Sequence, residues 1–583
     1  MPVSRSLMSS LSRAPLVAGL LAPLALLGMT GQPGVWVGHR LIGAGTADTW
    51  GHAWGYWWTA QTTAVGQLPF ADAPINYPEA QAWWVIDLPV ALLLSPVTHL
   101  LGAGAAYNLA FALHAGIGAA AIAALVTRRG GVPWVGAAAG ILAATSPFVR
   151  GALASGVPEA LAVLWVPLLV WLVDVGLSEG RRRHLVAAGA LSAVLVLDGA
   201  YGAIAGALAG AAAVGAALLA SRARLQVLAR STVVAIPAAL TVVGLRWALV
   251  ESHHPALDRT EAQQLVDIGE AWALRPLCGV DLMSWSVPAQ LLPLVDAETA
   301  HLHIVYVGIL LPALLLAAAW QHRKVRRPAL VALAAAIVAL GPALYVYGTP
   351  RTPAVLPGTW LWAVGATNYY RLAGLVPVVG LVGLASVRHK WMPIALMAIA
   401  AEWLVGAPLD VKVPTLASPA GEVEDWLASQ PEEGAVLDLP LDHEGTAVRG
   451  PSPQKVFYLQ TVHHRPIASA LYSTNPITDN IRAIGTFDES IRRAWRQQSA
   501  DSGPTPSREV RLPRHTEPLE LAKLSRALRG LGYRYVVLDL DLVRPYQRKD
   551  ALRWLTGWLG APAVTSSDRQ RIVWSLPGAS APR

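Results

Sequence analysis

The chain has 583 residues, of which 54% are hydrophobic and 14% charged, with a formal net charge of +8. Soluble domains carry about 25% charged residues, so this composition excludes an ordinary soluble enzyme. A single cysteine, Cys278, excludes an internal disulfide and a cysteine-based metal centre.

In chain order, a short polar head with Arg5 and Arg13 leads into an apolar run, Ala14 to Met29, read as an uncleaved first crossing. Further apolar runs lie near Ala105–Val126, Val132–Val149, Pro158–Leu177, Leu185–Leu197, Tyr201–Ala220, Ser231–Val250, Ile304–Trp320, Pro328–Tyr347, Leu372–Val387 and Trp391–Pro408. At roughly 16–22 residues each they match the length a helix needs to cross a bilayer core of ~30 Å. The expected fold is an all-α polytopic membrane domain of about eleven crossings over residues 1–408, followed by a soluble α/β domain over 409–583. Barrel strands would alternate and be about half as long. Val85–Leu101 is apolar but interrupted by Asp87, Pro89, Pro96 and His99, and reads as an interfacial or re-entrant helix or half of a hairpin.

Every second connection is basic: Arg128-Arg129, Arg181 to Arg183, Arg222 with Arg224 and Arg230, Arg323 to Arg327, and Arg388 with Lys390. The intervening loops, 31–103 and 251–302 among them, carry few cations. By the positive-inside rule the N-terminus is cytoplasmic and the C-terminal domain lies outside a bacterial plasma membrane. The alternation accounts for most of the basic charge, so nucleic-acid binding loses its support. In the tail, Ala435–Leu441, Tyr533–Asp541 and Arg571–Leu576 read as strands and Leu519–Leu531 as an amphipathic helix.

The first outer loop begins GTADTWGHAWGYWW and continues to PFADAPINYPE. Read as a helix from Thr49 capped near Asp48, it places Trp50, Trp54, Trp57 and Trp58 on an apolar side, suited to lying flat at the headgroup level. Asp48 and His52 share another face, and Glu79 lies later in the loop. The plain alternative is an aromatic anchor with Asp48 as a helix cap. Glu159, at the start of a crossing, and Asp198, between two short ones, are carboxylates at membrane depth, where such groups are functional candidates or complements to a helix dipole. Arg371, beside Tyr369 and Tyr370, could clasp a phosphate or snorkel to the surface. No phosphate-cradling glycine loop is present. His463-His464-Arg465 is adjacent rather than ligand-spaced and reads as packing or surface.

Taken in order, ADTWGHAWGYWW, INYPE, TSPFVRGALASGVPEALAVLWVPL, LDGAYGA, NYYRLAGLVPVVGLVGLA, GAVLDLPL and HHRPIASALYST resemble the GT-C superfamily of integral-membrane glycosyltransferases, in particular its bacterial multi-span members with an outer C-terminal domain. The resemblance implies transfer of a sugar from a polyprenyl-phosphate donor to a glycan, lipid or protein acceptor of the cell envelope, at the outer face of the bilayer. It maps the role of base or metal ligand to Asp48; His52, Glu79, Glu159, Asp198, Tyr369 and Arg371 are the candidates for substrate contact that the residues themselves offer. Many members have two neighbouring acids where this chain has Asp48-Thr49, which leaves a divalent metal, Mg or Mn, open. A non-catalytic envelope assembly or binding factor and a transporter of lipid-linked sugars are the other readings. A transporter should show charged or broken helices at mid-membrane, whereas the ionisable residues here collect at outer ends.

Overall fold

The computed structural model describes residues 5–35, 37–43, 49–70, 72–78, 81–82, 87–251, 280, 282–287, 305–341, 344–346, 349–350, 369–406, 413, 415–419, 421–441, 455–469, 484, 486 and 518–577. Asp48, Glu79, nearly all of the loop 251–302 and the Ser/Pro/Arg-rich passage 498–513 lie outside the described residues. The chain divides into two compact units. One comprises Met1–Ala44, Ile86–Trp247 and Arg259–Leu416; the other Gly45–Val85, Ala248–Asp258 and Ala417–Arg583.

The helices, in chain order, are α1 (Arg5–Gly28), α2 (Thr49–Ala64), α3 (Leu88–Leu93), α4 (Ser95–Leu101), α5 (Ala103–Arg128), α6 (Pro133–Ala144), α7 (Pro147–Ser155), α8 (Val166–Ser178), α9 (Arg182–Asp198), α10 (Ala200–Ala220) and α11 (Arg224–Glu251). They continue with α12 (Leu310–Gln321), α13 (Arg323–Ala339), α14 (Leu375–Ala385), α15 (Met392–Gly406), α16 (Glu422–Ser429), α17 (Lys455–His463), α18 (Pro518–Gly530) and α19 (Pro545–Leu559). Two 3-10 segments, Pro158–Trp165 and Tyr369–Gly374, run directly into α8 and α14.

In the first unit, Ala103–Arg128, Pro133–Ser155, Pro158–Ser178, Ala200–Ala220 and Arg224–Leu245 are long and apolar enough to cross a membrane, and four shorter apolar helices of 10–17 residues accompany them. The unit is a multi-pass membrane domain. The interrupted segment before α5 is two short helices, α3 and α4, joined at Leu94 and each with a proline in its first turn. Small residues let the helices approach closely. A Cβ on Gly118 of α5 would stand 2.5 Å from that of Leu164, so glycine is required where α5 meets the first 3-10 segment. The basic loops converge at one end of the unit: Arg128 binds Asp174 and Glu179, Arg388 donates to the carbonyl of Gly130, and Lys324 donates to that of Ser386.

In the second unit, strand Ala435–Leu439 runs parallel to Tyr533–Asp539, which pairs antiparallel with Arg571–Ser575, and Val564–Thr565 closes the edge. Leu437, Val536 and Leu538 of the sheet, with Leu528 of α18 and Leu555 of α19, form a single core. The helix α2 corrects one expectation. Its tryptophans face protein rather than headgroups: Trp50, Trp54 and Trp57 are buried. Trp54 Nε1 donates to Gln460 Oε1 at 2.8 Å, its ring packs edge-on to Phe457, and Trp50 packs on Tyr458 of the same helix, α17. A hydrogen-bonded indole fixed in a dry pocket gains more than one left at an interface. Gln460 Nε2 donates in turn to the carbonyls of Pro74 and Arg465. Tyr77, from INYPE, packs edge-on against Tyr533, and its carbonyl accepts from the Tyr533 hydroxyl.

The tail residues His463 and Arg465 are structural. Three hydrogen bonds of 2.6–2.9 Å run from the Arg465 guanidinium to the carbonyls of Leu427, Gln430 and Glu432, at the end of α16 and just beyond, and it stacks on Tyr535. Burial, with the guanidinium charges of Arg571 and Arg465 nearby, pushes the His463 imidazole down to about 3. The folded value lies below the unfolded one of about 6.5, so the neutral ring's contribution is complete above that pH. It is lost as pH falls toward 3, at up to about 1.4 kcal/mol per pH unit. His463→Gln retains an acceptor for the Arg465 amide, which His463 Nδ1 accepts at 3.1 Å. In tryptophan-fluorescence melts of the intact protein over this pH range, His463→Gln should lose stability more shallowly than the parent; parallel curves would remove His463 as the titrating group.

Candidate functional site

Five ionisable residues of the first unit meet among the ends of its helices. His114 is eleven residues into α5 and fully buried. Its Nε2 lies 3.3 Å from Asp87 Oδ1 and 4.0 Å from Asp198 Oδ1. One face of its ring packs on Trp165, 5.0 Å between centroids, a contact that the close approach of α5 at Gly118 permits. Asp87 precedes α3 with φ 65° and ψ 33°, a left-handed conformation that aspartate tolerates better than most residues. Its amide donates to the carbonyl of Asp198 at 3.1 Å, which ties the start of α3 to the end of α9.

Asp198 is the last residue of α9 and is 1% exposed. Neither carboxylate oxygen meets a hydrogen-bond donor among the described residues, while the Asp87 carboxylate stands within hydrogen-bonding reach. Two buried acceptors facing each other need a proton or a cation between them. Glu159, in the first turn of the 3-10 segment Pro158–Trp165, accepts from Arg371 Nη1 at 2.7 Å, and both side chains are buried. The guanidinium also lies over the ring of Tyr201, 5.2 Å from its centroid. Tyr369 opens the segment that carries Arg371 and is fully buried. The charges of Glu159 and Arg371 both reach Asp198, so the five residues form one electrostatic group.

The structure thus brings together Glu159, Asp198 and Arg371, expected from the sequence, and adds Asp87 and His114, which were not. His52 lies half-buried on α2 in the second unit, and Asp48 and Glu79 fall outside the described residues. A signal for His114 was present in AFALHAGIGAA, where an ionisable side chain sits mid-helix in an apolar run. Asp87 was visible only as an interruption.

Asp87, Glu159, Asp198 and Arg371 lie at helix ends away from the basic loops, and His114 reaches them from the middle of α5. Helix α9 runs from Arg182 to Asp198, about 24 Å at 1.5 Å per residue. Arg371 likewise precedes α14, whose far end leads to Arg388. Among the described residues, Asp87, Asp198 and Glu159 oppose one guanidinium and one imidazole, which leaves negative charge in excess when the imidazole is neutral. Asp87, His114 and Asp198 offer ligand atoms all within 4.8 Å of one another. Ligands at about 2.0–2.1 Å around a tetrahedral ion stand roughly 3.3 Å apart, so the Asp87–His114 spacing is that of a coordination edge. One nitrogen with carboxylate oxygens suits Mn or Zn better than Mg, which favours oxygen alone.

No family model matches the chain, and no curated protein does. Among solved structures it is similar to the arabinofuranosyltransferase AftD from mycobacteria, with TM-score 0.54 and 16% identity over 100% of this chain and 40% of that one. A structure of the R1389S variant of AftD matches with TM-score 0.47 and 17% identity over 99% of this chain and 42% of that one. The chain spans about two-fifths of the length of AftD. At this identity the likeness is one of fold alone.

Truncating one partner of a buried ion pair strands the other charge and costs roughly 3–5 kcal/mol. In thermal melts of detergent-purified protein, Arg371→Met should destabilise by that order, and adding Glu159→Gln should recover more than half of the loss. Additive losses would show that the two side chains do not share one energy.

Proposed function

We propose that this chain is a membrane glycosyltransferase that moves a sugar from a polyprenyl-phosphate carrier to a cell-envelope acceptor at the outer face of the plasma membrane. The observation that carries the proposal is the buried group Asp87, His114, Glu159, Asp198 and Arg371, gathered at the helix ends away from the basic loops in a chain with the AftD fold. If the basic loops face the cytoplasm, as the positive-inside rule has it, this group faces outward. Lipid-linked donors suit that side, since their carrier is already in the bilayer.

In this reading Asp48 polarises or deprotonates the acceptor hydroxyl as it attacks the sugar carbon. The bond from that carbon to the carrier phosphate breaks, and the phosphate leaves with the electron pair. Arg371, held in place by Glu159 and Tyr201, donates to the departing phosphate. Tyr369, beside Arg371, contacts the sugar, and the sequence keeps His52 and Glu79 as candidates for substrate contact. Asp87, His114 and Asp198 would hold a divalent cation, Mn or Zn before Mg, which supplies positive charge beside the leaving group when bound. The arabinofuranosyltransferase activity of AftD makes a pentofuranosyl carrier lipid the first donor to try.

A non-catalytic role in binding envelope glycans is a second reading, and the near-complete burial of Asp87, His114 and Asp198 favours it. The two part on a single substitution. With radiolabelled carrier lipid, Asp48→Asn should abolish transfer while the protein remains folded and inserted; an active variant would end the assignment of Asp48, and a parent inactive with every carrier lipid offered would favour the binding role.

The cation can be examined without turnover. Metal analysis of purified protein should find manganese or zinc, displaced by a chelator and reduced at least tenfold in Asp198→Asn, since loss of a charged ligand weakens binding by about that factor or more. Equal metal content in parent and variant would mean that the carboxylates share a proton instead.

A further inference from the structure

The end of the first unit where the basic loops converge holds a second chemically distinctive place. Helices α5, α8, α10, α13 and α14 enclose a cavity of about 510 Å³ there. Its inner walls are the valines of α8 and α14 and a run of alanines on α10. Its rim carries Arg128, Arg129, Arg323, Lys324 and Arg327, with Asp174 as the one acid among the lining residues. Asp174 is already engaged, since Arg128 Nε donates to it at 2.5 Å.

That leaves the other cations of the rim without an acidic counterpart in the lining. Arg129 is desolvated by burial, attracted by Asp174 and repelled by Arg327. Two guanidinia held with like charges facing are stabilised by an anion between them, and arginine matches phosphate with its planar fork. A soluble anion would satisfy the rim but would leave the apolar walls with nothing to cover. The lipid chains of the surrounding leaflet would cover them.

We propose that this cavity is a binding site for an anionic phospholipid of the leaflet facing the basic loops, its phosphate between Arg129 and Arg327 and one acyl chain along α8, α10 and α14. Its rim residue Arg128 lies fourteen residues beyond His114 on α5, about 21 Å at 1.5 Å per residue, so the rim is distinct from the acidic group and the site does not rest on the proposed sugar transfer. Basic pockets between transmembrane helices on the cytoplasmic side recognise anionic headgroups by this chemistry. Such a lipid would act as a wedge, holding α13 and α14 against α8 and α10 while neutralising the rim.

Native mass spectrometry of the intact detergent-purified protein tests this, with phosphatidylglycerol, phosphatidylcholine and inorganic phosphate as probes. Phosphatidylglycerol should form a retained one-to-one adduct that phosphatidylcholine does not match. Each basic residue near an anionic lipid contributes a factor of about fivefold, so Arg327→Gln should weaken the adduct by about that and Arg129→Gln with Arg327→Gln by roughly thirtyfold. Arg327 is exposed, so its single substitution leaves packing intact. Val170→Trp, which fills the apolar wall, should abolish lipid binding. Equal retention of both lipids, or phosphatidylglycerol binding unchanged in Arg327→Gln and in the double variant, would overturn the proposal. Displacement of phosphatidylglycerol by inorganic phosphate together with full binding to Val170→Trp would also overturn it, and would assign the rim to a free anion.

Discussion

Carboxylates placed among packed helices must be neutralised where they stand, and this constraint organises the first unit. An uncompensated charge there costs several kcal/mol, so each acid dictates what must be brought to it. Glu159 is matched by Arg371, contributed from 212 residues further along the chain. That pairing fixes the segment before α14 against the segment before α8. Asp87 and Asp198 are matched only partly, by His114 and by each other. The first pair is a strut; the second group retains unspent electrostatic attraction for a cation or a proton. The two abut, so this end of the unit joins a fixed ion pair to an incompletely matched pair of acids.

The opposite end obeys the same rule with the sign reversed. Cations accumulate where the helices turn back, and some find carbonyl or carboxylate partners, as Arg128, Lys324 and Arg388 do. Others face an apolar cavity. The unit is therefore polarised along its helices, with the buried acidic group and its partner Arg371 at one end and a cluster of arginines at the other. Anionic headgroups would complement the basic end, and in the proposed function a phosphate-linked carrier is suited to the acidic end because Arg371 stands among the carboxylates.

Much of this was legible in the residues. The apolar run Ala105–Val126 is helix Ala103–Arg128, Tyr201–Ala220 is Ala200–Ala220, and the tail strands at 435, 533 and 571 lie where β-branched runs put them. Glu159, Asp198 and Arg371 stood out because ionisable groups are costly at membrane depth. Their partnership was not legible, since it depends on how helices pack rather than on spacing. His114 escaped attention as a lone histidine in an alanine-rich run, and Asp87 as a flaw in a helix. The tryptophans of α2 misled for a related reason. A Trp-rich amphipathic stretch suits both a membrane surface and a protein surface, and only Gln460, Phe457 and Tyr458 of a helix some 400 residues distant decide between them.

The central claim is that the acidic end is where a lipid-linked sugar is held. A cryo-EM map of the protein with a non-transferable polyprenyl-phosphate sugar analogue and manganese tests it most directly. Phosphate density is expected within hydrogen-bonding distance of Arg371, with a metal peak among Asp87, His114 and Asp198. Phosphate density confined to the basic end, with the acidic cluster closed and metal-free, would contradict it.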